Sequence, residues 1–114
     1  MSGTVEAPRL SAAQPFRSAE AAWFWCMGFL AARAEGAGAA FGTGGNRPCE
    51  PDDVVKALDR LYRQRRIDLA HARILRIYGE KGQAPNDTRS SDGRLWRHAM
   101  TQLDQALRLK GIVR

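Results

Sequence analysis

Residues 51–79, PDDVVKALDRLYRQRRIDLAHARILRIYG, decide how this chain folds. Pro51 suits the first position of a helix, where its missing N–H removes no hydrogen bond. Asp52 and Asp53 then place negative charge at the positive end of the helix dipole. Val54, Leu58, Leu61 and Tyr62 recur at helical spacing, with Lys56, Asp59, Arg60 and Arg63 on the opposite face. A short QRRI connector leads to Asp68, a residue type that caps helix N-termini. From there a further helix is predicted, with core candidates Ala70, Ile74, Ile77 and Tyr78, Leu75 at the edge and Gly79 as terminator.

The same signals extend in both directions. Upstream, FRSAEAAWFWCMGFLAARAEG (16–36) offers Ser18 as N-cap, Glu20 for the dipole and Gly36 as a left-handed stop, so an apolar helix is expected over 18–35. Twelve uncharged residues separate Glu20 from Arg33, too few for the roughly twenty that span a bilayer. Burial within the domain is the preferred reading of so apolar a helix, with pairing to a second copy as an addition. Downstream, GEKGQAPNDTRSSD (79–92) reads as a polar loop. A last helix follows a Ser91 or Asp92 cap, with Leu95, Trp96, Ala99, Met100, Leu103, Ala106 and Leu107 along one side. Gly111 is expected to close it, with Ile112 folding back toward Leu107. No stretch alternates as a strand does. The expected fold is all-α: a disordered arm over 1–15, then one helical domain over 16–114. That domain comprises the apolar helix, a Gly-rich loop (36–49) and a tri-helical, helix-turn-helix-like part (50–111).

The 114 residues suffice for one domain with its own core. Cys26 and Cys49 are too few for a disulfide framework, so free thiols in a reducing, cytoplasmic compartment are expected; one Cys26–Cys49 bridge is the alternative. Two prolines and two glutamates ahead of the apolar core make a poor secretory leader. The net charge is +6 and unevenly placed. Four Arg face three Glu up to residue 49; fourteen Lys/Arg face nine Asp/Glu beyond it. Arginine predominates, and its planar fork can make two hydrogen bonds to one phosphate.

The glycine loop EGAGAAFGTGGNRP (35–48) invites a nucleotide-cradle reading. A dinucleotide fingerprint requires G-x-G-x-x-G after a strand, whereas Gly36, Gly38 and Gly42 carry one residue too many and follow a helix. A phosphate-binding P-loop requires a lysine, and none precedes Lys56. The loop therefore reads as a connector. Cys26, Cys49, His71 and His98 lack metal-ligand spacing, so no metal and no cofactor are expected. Asp52 and Asp53 point about 100° apart, and Ser90, Ser91 and His98 lack a third group, so no enzyme is expected.

Nucleic acid is the better-supported partner. The outward face of the last helix carries Arg94, Arg97, His98, Thr101, Gln102, Gln105 and Arg108, types that read base edges. Lys56, Arg60, Arg63, Arg65 and Arg66 are placed to hold phosphates. The span 53–113, through DVVKALDRLYRQRRIDLAHARILRIYGEKGQAPN and LWRHAMTQLDQALRLKGIV, resembles small bacterial helical proteins. It is also weakly similar to the helix-turn-helix of sigma-factor region 4 and of phage late-gene regulators. That resemblance implies a final helix inserted in the major groove. The expected function is a small protein binding double-stranded DNA, as a transcriptional regulator or accessory factor. The alternative is a protein-interaction adaptor or homodimer built on Trp23, Phe24 and Trp25, with no membrane and no small-molecule cofactor involved.

Overall fold

The computed structural model describes residues 14–36 and 48–114; the expectations for 1–13 and for the glycine loop at 37–47 lie outside these. Four helices make up the fold: α1 (Ala19–Ala34), α2 (Pro51–Arg63), α3 (Leu69–Lys81) and α4 (Ser91–Leu109). The all-α expectation holds among the described residues. None of their helices is long and apolar enough to cross a membrane.

Local capping explains most of the boundaries. The Ser18 hydroxyl accepts from the Ala21 N–H at 3.1 Å, and Gly36 leaves α1 at φ +82°. Glu50 and Asp53 form a reciprocal capping box around Pro51. Asp68 accepts from the Ala70 N–H at 2.9 Å to open α3. At the far end of α4, the Gly111 and Ile112 N–H groups return to the carbonyls of Arg108 and Leu107 at 3.0 and 2.9 Å. That pair of bonds is a Schellman motif, as the Gly111-Ile112 sequence implies.

Two boundaries differ from expectation. α4 starts at Ser91 because Ser90, not Ser91 or Asp92, is the cap and accepts from the Gly93 N–H at 3.0 Å. Gly79 does not end α3, which runs on to Lys81 and stops at Gly82, φ +74°. Gly79 lies within the helix against α1, where a Cβ would stand 2.7 Å from Trp23 Nε1 and 2.8 Å from Met27 Cγ. Across that gap the Trp23 indole donates to the Leu75 carbonyl at 2.9 Å.

The core is built on α1 and α4, each of which packs against all three other helices, whereas α2 and α3 hardly touch. Ala19, Ala22, Trp23, Cys26 and Phe29 form the buried face of α1, so its burial within the domain holds. Trp96 joins three helices: it stacks on Phe24 with centroids 5.7 Å apart, meets Tyr78 edge-on at 6.1 Å, and donates to Glu20 at 2.9 Å. The Tyr78 hydroxyl donates to Asp92 at 2.6 Å, and that bond holds the phenol above its ordinary range.

The buried faces of α2 and α3 are rotated from those expected. Ala57 takes the central place between Val54 and Leu61, leaving Tyr62 47% exposed. In α3 the buried residues are Ile74, Leu75 and Gly79; Ala70 is exposed and Ile77 is 39% exposed. The small Ala57 and Gly79 allow close helix approach, while Tyr62 and Ile77 turn outward. A further feature was not expected: Phe16 pairs with the tail after α4, its N–H donating to the Ile112 carbonyl at 2.8 Å and its carbonyl accepting from the Arg114 N–H at 3.1 Å.

Cys26 is fully buried and donates to the Pro51 carbonyl at 3.5 Å. Burial first, then the nearby Cys49 and Asp52, pushes its thiol up to about 11. No disulfide joins the two cysteines.

Two measurements follow. Gly28 and Gly79 both lie inside helices, but only Gly79 has a neighbour within 4 Å of an added Cβ. Gly28→Ala is expected to stabilise by up to about 1 kcal/mol through helix propensity. Gly79→Ala is expected to destabilise by about 1–2 kcal/mol, because overpacking against a buried indole exceeds the same propensity gain. Urea unfolding of both variants decides between the signs. Alkali tests Cys26: the native thiol keeps its proton to higher pH than the unfolded one, so its contribution is complete below about pH 9 and lost as pH rises toward about 11. The stability curve of Cys26→Ala should lack that component of the decline.

Candidate nucleic-acid interface

The turn between α2 and α3 is the most strained part of the described backbone. Gln64 caps α2, and the next residue, Arg65, takes φ +62°, the one positive φ among described non-glycine residues. The Arg65 N–H returns to the Tyr62 carbonyl and the Arg66 N–H to the Leu61 carbonyl, both at 3.0 Å. This is a Schellman closure with arginine where glycine is usual, at a cost of about 1–2 kcal/mol. The buried Ile67 anchors the turn behind the arginines.

α4 is fastened to that turn by His98, whose Nε2 lies 3.0 Å from the Arg66 carbonyl. The His98 ring is 4.7 Å from that of His71, which is itself held by Asp68 at 3.0 Å. His98, expected at a base edge, therefore sits as a clamp between the basic turn and the outer face of α4.

The remaining expected residues lie on two elements. Arg94, Arg97, Thr101, Gln105 and Arg108 are exposed along one face of α4, and Lys56, Arg60, Arg63, Arg65 and Arg66 are exposed on α2 and its turn. Some of these already have partners within the chain. Arg63 pairs with Asp59 at 2.9 Å, Arg108 with Asp104 at 2.6 Å and with the Arg114 carbonyl, and Thr101 donates to the Arg97 carbonyl at 3.0 Å. Among the described residues no carboxylate pairs with Lys56, Arg60, Arg65, Arg66, Arg94 or Arg97.

A cleft of about 440 Å³ separates the C-terminal halves of α2 and α4. Ala57, Leu61 and Ala106 floor it, and Arg60, Gln64 and Arg66 face Gln102, Gln105 and Lys110 across it, with Leu109 at the rim. No Asp or Glu lines it. Gln102 is half-buried here, and its Oε1 has no hydrogen-bond partner. The opposite flank of α4 is different: there a shallow depression includes Glu20 and Asp104 beside Arg97. α4 thus has a cationic flank toward α2 and one of mixed charge toward α1.

Gln64 and Lys110 were not anticipated in this site. Each follows the last core leucine of its helix, Leu61 or Leu107, by three residues, so the signal was available in the helical period. Of the three aromatics expected to meet a partner, Trp23 is 4% exposed with its indole N–H engaged. Phe24 and Trp25 are half-buried, Trp25 between Phe16 at 5.1 Å and Phe29 at 6.0 Å. Among the described residues no three His, Cys, Asp or Glu side chains gather as a metal site would.

Compared with family models, curated proteins and solved structures, the chain matches none.

Proposed function

We propose that this protein binds double-stranded DNA as a small regulator or accessory factor. Arginines of the α2–α3 turn hold phosphates, and the outer face of α4 meets the groove. The observation that carries this reading is Arg65. A left-handed arginine persists where glycine would relieve the strain, and residues so held cluster at functional positions. The unpaired cations around it, and the His98 clamp that aligns the turn with α4, supply the geometry for phosphate contact beside a groove-reading helix. The helix-turn-helix likeness belongs to this reading, with α4 in the recognition role.

A second reading, self-association through α1, is supported by a surface groove lined by Phe24, Met27, Leu30, Ala31 and Ala34 with part of α3. Apolar side chains at a surface groove suit a partner helix.

Fluorescence anisotropy with a duplex across a salt series tests the first reading. Five contacts, from Arg60, Arg65, Arg66, Arg94 and Arg97, would make log K fall with log salt at a slope of about −4 to −5. Arg65→Gly should reduce the slope by about 1 while raising stability by about 1 kcal/mol. Absence of binding at 50 mM salt, or binding without salt dependence, would sink the proposal. For the second reading, Leu30→Glu should convert a dimer to a monomer in sedimentation; a monomeric wild type removes it.

A further inference from the structure

The rotation of α3 that buries Gly79 leaves an apolar face outside the core. Leu69, Arg73, Arg76, Ile77 and Glu80 are all exposed, and at about 100° per residue they fall within roughly 100° of arc, opposite the buried side. Leu69 is 60% exposed, and Ile77 stands about 12 Å further along the axis, two turns on. Arg76 is held by Glu80 at 3.4 Å. Arg73, between the two apolar residues, pairs with no carboxylate among the described residues.

At the N-terminal end of this face Leu69 also lines a depression of about 560 Å³, together with Tyr62 and the buried Ile67. Of the charged residues around it, Arg63 is held by Asp59, and Asp68 is engaged by the Ala70 N–H and by His71. Tyr62, Leu69 and Ile77, three of the five exposed large apolar side chains among the described residues, therefore share one continuous surface. Apolar exposure gathered in this way marks an interaction site.

We infer that this surface docks an amphipathic helix of an acidic protein partner. An aromatic or aliphatic side chain of the partner sits between Tyr62 and Leu69, a second apolar residue two turns away lies against Ile77, and a carboxylate between them meets Arg73. Anchors at that spacing are how a helix engages an apolar surface, and the unpaired cation selects a partner of opposite charge. A concave anchor point suits a protruding side chain rather than a flat bilayer, and a net charge of +6 opposes a second copy of the chain. The inference does not rest on duplex binding, because Leu69, Arg73 and Ile77 take no part in that reading.

Fluorescence anisotropy of the full chain with a labelled synthetic helical peptide, carrying Phe and Leu seven residues apart with Glu between them, provides the test. The acidic peptide is expected to bind at least about tenfold more tightly than its counterpart with Lys for Glu, or with Ala at both anchors. Leu69→Gln and Ile77→Gln should each weaken it about tenfold, and Arg73→Glu should reverse the preference between the two charge forms. Both apolar positions are exposed, so an unchanged melting temperature in the Gln variants separates a lost contact from a lost fold. Equal binding of the two charge forms, no binding of the acidic peptide, or full affinity in Leu69→Gln overturns the inference. Binding to phosphatidylserine vesicles in place of the peptide overturns it in favour of a lipid surface. A dimer in sedimentation that Leu69→Gln dissolves overturns it in favour of a second copy. A chain that binds duplex with its full salt slope but not the peptide refutes only this inference, and peptide binding without duplex binding refutes only the preceding reading.

Discussion

The hydrogen bond from the Trp23 indole to the Leu75 carbonyl, made across the bare backbone of Gly79, is the contact on which the rest of the arrangement depends. α2 and α3 hardly touch, so the chain between Pro51 and Lys81 cannot hold its own shape as a two-helix unit. α1 and α4 must hold those two helices, and α1 does so on the α3 side by placing an indole where α3 has no side chain. An indole buries on the order of 150–250 Å², which at about 25 cal/mol per Å² is roughly 4–6 kcal/mol. The hydrogen bond adds less, but it fixes the rotation of α3 about its own axis. That rotation decides which residues of α3 are core and which are surface.

The sequence makes the helices readable and their faces less so, for a definite reason. Capping is local chemistry: Ser18, Pro51, Asp68 and Gly111 act on backbone groups within a few residues, so their effect is visible in one dimension. Facing is tertiary. α3 contains Leu69, Ile74, Leu75, Ile77 and Tyr78, enough apolar residues to support more than one stripe. Which stripe is buried follows from Gly79, and a glycine near a helix end looks the same in sequence whether it stops the helix or admits a neighbour. Ala57 presents the same difficulty in α2, since a small residue at the centre of a buried face carries little hydrophobic signal. The candidate interface divides likewise. The outer face of α4 was legible from spacing except at His98 and Gln102, whereas Gln64 and Lys110 could be placed on their helices but not together, because they meet only after α2 and α4 pack. The left-handed Arg65 could not be read at all, there being no glycine or asparagine in QRRI to mark it.

Charge and packing give α4 its polarity. Its carboxylate Asp104 lies on the flank that faces α1, beside Glu20, and holds Arg108 there. The flank toward α2 has cations and amides without a carboxylate. The field around α4 is therefore asymmetric, more attractive to an anion on the α2 flank than on the α1 flank. Trp96 reinforces this division from below, because its bond to Glu20 keeps that carboxylate on the α1 side.

The pairing of Phe16 with the tail at Val113 joins segments from nearly opposite ends of the described chain. Closing so large a loop costs only logarithmically more than closing a short one, yet it gains two backbone bonds that no local step can nucleate. Helical contacts are local, whereas this clasp must bring residues 16 and 113 together. Interactions absent from the folding transition state act on the rate of unfolding rather than of folding. A clasp made after the transition state would lengthen the lifetime of the fold, slowing the escape of α1 from the core without hastening its arrival.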